Sequence, residues 1–283
     1  LALAHLPTCL DPLLAATAGT VAFLASPSRR RTVAANQALA RGVALEANGH
    51  VDPRALCWAL GAYYFYARYW VEVLRLGHLD AREVARAVEP VNALDFVASR
   101  WRGEAAIVIL AHVGNWEWGG AWASVALGGV TTVAERLADE GMTSWFLRHR
   151  QALGMEIVLT GRDSFRPLLR ALRAGKVVAL LVDRDLTGTG TVVDFLGRPT
   201  RMPTGPAVLA TATGAPIIPV ATYQAPRGHQ RIEFLTPILP RRTRDRSGEV
   251  ERLTQAVADA VAAIIARAPA QWHNFQPYQD PGP

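Results

Sequence analysis

The sequence predicts an α/β fold: a central sheet, mostly parallel or mixed, flanked by helices, with a largely helical N-terminal portion. Three observations carry this expectation. Short apolar runs of strand length alternate with helical patterns from Ala105 to Leu235, the first hundred residues hold only helical periodicity, and no Pro/Gly/Ser-rich linker or internal repeat divides the chain. With 283 residues, 50% of them apolar and 19% charged, a chain of this size buries about three quarters of its unfolded surface and needs no disulfide or metal staple. A single domain over residues 1–283 is therefore expected, residues 1–100 forming its helical portion and residues 101–283 its α/β core.

From the N-terminus, Pro12 to Ser28 carries no charge and runs straight into Arg29, Arg30 and Arg31. That is short of the roughly 20 apolar residues a membrane span requires, so a helix lying in the membrane surface or buried in the core is expected. No basic stretch precedes it in Leu1 to Asp11, which argues against a secretory signal. The protein is accordingly expected inside the cell, resting peripherally on the cytoplasmic face of the cell membrane through apolar surface and arginines.

Pro53 to about Leu79, dense in Tyr63, Tyr64, Phe65, Tyr66, Tyr69 and Trp70, with Glu72 and Arg75 at helical spacing, predicts a buried helix. A second helix is expected over Ala81–Arg100 behind Asp80 as cap, followed by a buried strand over Ala105–Ala111. Further strands are expected at Thr131–Ala134, Glu156–Thr160, Val177–Val182, Pro216–Tyr223 and Arg231–Leu235. Helices are expected near Trp116–Leu127, Gly141–Leu153, Ser164–Ala174, Gly205–Thr213 and Glu249–Arg267, the fourth with Pro206 in its first turn.

The net charge is +6, from 30 basic and 24 acidic residues, and Lys176 is the only lysine. An arginine-rich balance suits an anionic partner, since guanidinium recognises phosphate and carboxylate in bidentate fashion. No interleaved basic and aromatic strand, helix-turn-helix or zinc knuckle is present, so nucleic acid is not expected and anionic lipid or a CoA-like phosphate is. Cys9 and Cys57 have neither CxxC spacing nor histidine partners, and are expected as reduced, buried thiols.

The chemistry concentrates in AHVGNWEWGG, directly after the strand ending at Ala111. In open α/β sheets the ligand crevice lies beyond the carboxyl ends of the strands, and His112 sits where a strand gives way to a helix. A neutral imidazole accepts a hydroxyl proton near neutral pH, and a carboxylate on its other nitrogen fixes the tautomer. Glu117 reaches His112 only if the histidine precedes the helix. No GxSxG elbow occurs and neither cysteine sits in a nucleophile motif, which favours direct attack by a bound alcohol over a covalent enzyme intermediate. Metal ligation is the competing reading, but His112 lacks an HxxxH or HxD neighbour and no metal is expected. Trp116 and Trp118, alternating around Glu117, fit either core or the wall of an acyl channel.

The window His112-Val-Gly-Asn-Trp-Glu117 resembles the His-x4-Asp/Glu hallmark of the lysophospholipid acyltransferase superfamily, of which the lipid A biosynthesis acyltransferase branch is the more similar. Within that branch the likeness is to phosphatidylinositol mannoside acyltransferases. HVGNWEWGGAW, TTVAERL (Thr131–Leu137), LLVDRDLTGTGTVVDFLGRPTRMPTGPA (Leu180–Ala207) and TGAPIIPV (Thr213–Val220) carry it. The resemblance implies a glycerol-3-phosphate acyltransferase-like fold and acyl transfer from acyl-CoA, as donor substrate rather than cofactor, to a mannose hydroxyl of a mannosylated phosphatidylinositol or related anionic glycolipid. By position it makes His112 the general base and Asp183 the carboxylate behind it. The relatives carry glutamate at that position, so either the backbone approaches more closely here or Glu117 makes the relay. It further implies Glu135 and Arg150 in the acceptor pocket and His273, in QWHNF, facing the same pocket. Arg201, in the RMPTGP turn, is implied at the active-site floor, able to meet a phosphate. Oxyanion donors are expected either from backbone amides after Gly114 or from the RMPTGP turn. Another glycolipid or a lysophospholipid as acceptor, or a non-catalytic lipid-binding protein of the same fold, remain the alternative readings.

Overall fold

The structure is a computed structural model that describes residues 6–43, 53–161, 164–185 and 188–277. Residues 1–5 of the segment before the apolar run, Leu186 of the VDRDL block and the following Thr187 lie outside the described residues. In chain order the elements are α1 (Asp11–Ala25), α2 (Pro27–Leu39), α3 (Pro53–Leu76), α4 (Ala81–Ala87), β1 (Val88–Val91), α5 (Leu94–Trp101), β2 (Ala106–Leu110), α6 (Trp116–Leu127), β3 (Val130–Ala134), α7 (Glu140–Ala152), β4 (Met155–Leu159), α8 (Phe165–Arg173), β5 (Val177–Leu181), β6 (Thr191–Phe195), β7 (Arg198–Met202), α9 (Gly205–Thr213), β8 (Ile217–Gln224), β9 (Gln230–Phe234) and α10 (Arg246–Arg267).

Among the described residues, seven strands form one sheet in the order β1-β9-β8-β2-β5-β3-β4, parallel throughout except where β8 meets β9. The α/β expectation is met, with helices on both faces. Every residue of β2 is buried because it lies in the middle of the sheet. Its side chains alternate: Ile107 and Ile109 pack with α8, α9 and α10, while Ala106, Val108 and Leu110 pack with α5 and α6. The N-terminal helices add their own small core around Val33, Ala59 and Tyr63.

Four expectations need correction. The helix expected over Ala81–Arg100 is two helices with β1 between them. Asp80 does form a capping box with Glu83, but the helix then stops before Val88, and Pro90 is tolerated because β1 lies at the sheet edge and pairs only with β9. Between Val182 and Pro216, where no strand is expected, lies the hairpin β6–β7, closed by Leu196 and Gly197 with φ of 55° and 75°. Cys9 and Cys57 are exposed. The core-helix alternative for the N-terminal run fails, since Ala15 and Gly19 are its only buried residues in α1.

Candidate active site

Parallel pairing of β2 with β5 sets the site. Leu110 lies opposite Leu181, so His112 and Asp183 each stand two residues beyond the last matched pair, side by side at the carboxyl edge of the sheet. Adjacent strands are about 4.8 Å apart, close enough for an aspartate to suffice without the extra methylene of glutamate. His112 Nδ1 lies 2.6 Å from Asp183 Oδ1. The Trp272 indole N–H donates to the other oxygen, Oδ2, at 2.9 Å.

The Asp183 side chain has no exposed surface. Burial alone would raise its pKa, but the His112 charge, the hydrogen bonds from His112 and Trp272, and nearby Arg184 outweigh burial and bring it down to about 2. With an ionised carboxylate at Nδ1, that nitrogen carries the proton and Nε2 presents its lone pair. Nε2 is met by Arg184 Nη2 at 3.2 Å.

The turn between β2 and α6 is held from several sides. Gly114 has φ +64°, and a Cβ there would lie 1.7 Å from the Thr222 carbonyl oxygen, so no side chain fits. The Gly114 N–H donates to Gln271 O at 2.9 Å and the Asn115 N–H to Thr222 O at 3.0 Å. Asn115 Nδ2 and Gln224 Nε2 both donate to Oε2 of the buried Glu72, whose other oxygen accepts from Arg68. Burial raises the Glu72 pKa against these opposing contacts. The C-terminal segment completes the frame: the His273 N–H donates to His112 O at 2.8 Å, and Val113 bridges Trp272.

His112 opens onto a cavity of about 580 Å³ whose walls include Tyr66, Trp116, Phe146, Phe165, Leu180 and Leu209. Its lining is mainly apolar, with the polar groups of His112, Glu135, Arg150, Arg184 and His273 among it. Trp116 lines the cavity with its ring edge to the His112 imidazole at 4.9 Å, whereas Trp118 is core.

The other residues singled out from sequence divide. Glu135 lies just past β3, exposed on the cavity wall. Arg150 faces inward from α7, unlike exposed Arg148, and lines the cavity. His273 lines it too, buried among Tyr66, Tyr69 and Trp116, with Nε2 2.9 Å from Gly114 O. Burial, with the nearby His112 charge, outweighs that carbonyl and brings the His273 pKa down to about 3.

Glu117 and Arg201 are not where the sequence suggested. Glu117 lies in the first turn of α6 and pairs with Arg150, whose Nε donates to Oε2 at 2.9 Å; Tyr69 OH stands 3.4 Å from Oε1. A buried carboxylate is stabilised most by a buried cation, so Glu117 turns to α7 and Asp183 alone backs the histidine. Arg201 points outward because the pleat of β7 buries Thr200 and Met202; it donates to Gly190 O at 3.1 Å and is not part of the cavity lining. Of the backbone groups expected as oxyanion donors, the Asn115 amide is bonded to Thr222 O as above, while Pro203, Thr204 and Gly205 of the RMPTGP turn line the cavity. Two further groups at the histidine escaped sequence reasoning. Arg184 carries no local signal beyond its place beside Asp183, and Trp272 lies 89 positions from Asp183, its only signal a dense QWHNF cluster.

The fold and the cavity together define an α/β protein with a His–Asp pair at the carboxyl edge of its sheet, facing a mainly apolar cavity. By its sequence the chain belongs to the bacterial lipid A biosynthesis acyltransferase family, which matches residues 2–278. Phosphatidylinositol mannoside acyltransferases of Mycobacterium tuberculosis, from strains CDC 1551 / Oshkosh and ATCC 25618 / H37Rv, are each 43% identical to it over 217 residues, 75% of this chain and 67% of theirs. The protein of that name from Mycolicibacterium smegmatis is 39% identical over 215 residues, 75% of this chain and 69% of its own.

Proposed function

We propose that this protein transfers a fatty acyl group from acyl-CoA to a mannose hydroxyl of phosphatidylinositol mannoside, with His112 as general base and direct attack of the hydroxyl on the thioester. The observation that carries the reading is the His112–Asp183 pair, 2.6 Å apart, opening onto a mainly apolar cavity. The names of relatives at 43% and 39% identity supply the acceptor. The buried carboxylate keeps the proton on Nδ1, and Nε2 takes the hydroxyl proton as the oxygen attacks the thioester carbon. The imidazolium then returns that proton to the departing CoA thiolate. Apolar walls suit the acyl chain, and Glu135 and the edge of the Arg150–Glu117 pair suit sugar hydroxyls.

The enzyme acts as a peripheral protein on the cytoplasmic face of the cell membrane, lying on it through α1. Leu10, Leu13, Val21 and Leu24 are exposed and fall within one sector of about 80° at 100° per residue. Ala15 and Gly19 face the opposite way, onto α3. Exposed Arg29 and Arg31 follow, suited to anionic headgroups.

Release of free thiol from palmitoyl-CoA, with and without phosphatidylinositol mannoside and with His112→Ala alongside, tests the reading. Acceptor-dependent release lost in the variant is expected. Release preferring lysophospholipid over the mannoside transfers the activity to another acceptor, and no release with any acceptor leaves a lipid-binding protein of the same fold.

A further inference from the structure

We infer that Arg184 supplies the oxyanion donor of this reaction and that, before substrates bind, it stands on the proton-accepting nitrogen of the base. The inference rests on the acyl-transfer reading above. Arg184 follows Asp183 directly, lines the cavity, and makes its hydrogen bond from Nη2 to His112 Nε2 at 3.2 Å. Among the described residues no carboxylate lies within ion-pair distance of it, and its Nε is buried without a hydrogen-bond partner. The neighbouring carboxylates are engaged elsewhere: Asp183 by His112 and Trp272, Glu117 by Arg150, and Asp185 by the Gly190 N–H at 2.7 Å. A partly buried cation with unused donors gains strong charge-assisted hydrogen bonds when an anionic oxygen arrives.

Geometry indicates which oxygen. Nε2 has one lone pair, and a hydroxyl that is to lose its proton must donate to it, so Arg184 yields that place when the acceptor binds. Its N–H groups are then a few ångströms from the carbon under attack, because that carbon bonds to the same hydroxyl oxygen. The Gly114 and Asn115 amides are spent on Gln271 and Thr222 carbonyls, whereas Arg184 already stands at Nε2 with donors directed into the cavity. In the step itself the hydroxyl oxygen bonds to the thioester carbon while its proton passes to Nε2, and the carbonyl π pair moves onto oxygen, where Arg184 donates to it. The pair returns, the C–S bond breaks, and the thiolate leaves with its electrons and takes the proton from Nε2. No oxidant or further reactant is needed.

The test uses the full chain with Arg184→Met and Arg184→Lys, palmitoyl-CoA and phosphatidylinositol mannoside. Methionine is expected to lower kcat by about 10²–10³-fold, the usual effect of losing an oxyanion donor, with the KM for palmitoyl-CoA moving by less than about threefold. Lysine is expected to restore part of kcat. Without substrates, diethyl pyrocarbonate followed by mass spectrometry is expected to label His112 faster in the methionine variant, since Nε2 is uncovered. A kcat within about threefold of wild type overturns the inference, as does unchanged labelling. A loss confined to the KM for palmitoyl-CoA also overturns it, making Arg184 a contact for CoA phosphate. If wild-type protein transfers no acyl group at all, the acyl-transfer reading itself fails, and this inference falls with it.

Discussion

The indole nitrogen of Trp272 donates to Oδ2 of Asp183 at 2.9 Å, on the carboxylate whose Oδ1 meets His112 Nδ1 at 2.6 Å. The carboxylate is thus held at both oxygens, and its plane is fixed against the imidazole. A tryptophan 1% exposed is consistent with a positioning role, exercised through Asp183. Trp272→Phe keeps most of the packing and removes one hydrogen bond to a buried charge. The expected cost is about 1.5–3 kcal/mol in stability, read from the urea midpoint, together with a fall in kcat and little change in KM. Asp183→Asn is the harsher variant: it presents an amide to Nδ1, no longer enforces the tautomer, and is expected to lower kcat by about 10³–10⁴-fold. Equal kcat values for wild type and Trp272→Phe would remove the positioning role.

Glu117 and Arg150 are expected to behave as a structural pair. The Glu117 side chain is 1% exposed and that of Arg150 15%. Burial works against the Arg150 charge, and the Glu117 carboxylate more than offsets it. Breaking a buried pair strands one charge, so Glu117→Gln and Arg150→Met are each expected to cost about 3–5 kcal/mol, and the double variant less than the sum of the two. A urea-denaturation double-mutant cycle measures this. Strict additivity would show that the two residues do not depend on one another. Trp116, Val133, Leu181 and Arg150 line both the candidate active-site cavity and a narrow apolar space of about 70 Å³ beneath α6, so loss of the pair is also expected to loosen the wall between the two.

How far the site was legible follows from where its signals lie. His112 could be singled out because it ends an apolar run of strand length, a local feature, whereas Asp183 was indicated only by the resemblance that its motif window carries. That they touch depends on β2 and β5 being neighbours although β3, β4 and their helices intervene in sequence. The Glu117–Arg150 pair joins two helices across 33 positions, and the local pattern around Arg150, with Arg148 and His149 beside it, reads as a solvated face. β1 was hidden because Val88-Glu-Pro-Val continues the helical spacing on either side, and only pairing with β9 defines it. Arg201 was misjudged for a period of two: in β7 its neighbours Thr200 and Met202 take the inside. Helices with long apolar stripes, α3 and α10, needed no tertiary information to be seen.

His273 links the C-terminal frame to the pH dependence of stability. Its pKa in the fold is about 3, burial being the main cause, against about 6.5 in the unfolded chain. The unfolded state therefore binds the proton first. Stability is complete above pH 6.5 and falls as pH drops from there toward 3, with a slope of up to about 1.4 kcal/mol per pH unit from this group. His149, whose pKa burial also lowers, adds to the same limb. Asp183, brought down to about 2, contributes stability that is present above its unfolded value near 3.9 and is lost as pH falls toward 2, a lower window. His273→Phe is expected to flatten the limb between pH 6.5 and about 4 while leaving the lower one intact, read as the urea midpoint against pH. An unchanged upper limb would assign that slope to other groups.

The outer face of α1 offers a prediction independent of catalysis. Leu13, Val21 and Leu24 are 64%, 61% and 62% exposed, and burying three such side chains at a lipid interface is worth about 1.5–3 kcal/mol each at full burial. The helix is tied to the body of the protein, with Asp11 accepting from Arg75 at 2.6 Å and Gly19 set against the α3 backbone. Its 15 residues span about 22 Å at 1.5 Å per residue, less than the roughly 30 Å of a bilayer core. The apolar stretch Thr8–Ala25 is long enough by composition to be a candidate span, but the ties of α1 to α3 favour the interfacial placement proposed above, and that placement is what the test addresses. Replacing Leu13, Val21 and Leu24 together with serine is expected to lower binding to vesicles containing anionic phosphatidylinositol by at least tenfold in a flotation assay. Because these side chains face away from α3, the thermal midpoint should move little. Salt should weaken binding of both proteins, since Arg29 and Arg31 remain in each. Undiminished flotation of the triple variant would transfer membrane contact to another surface of the molecule.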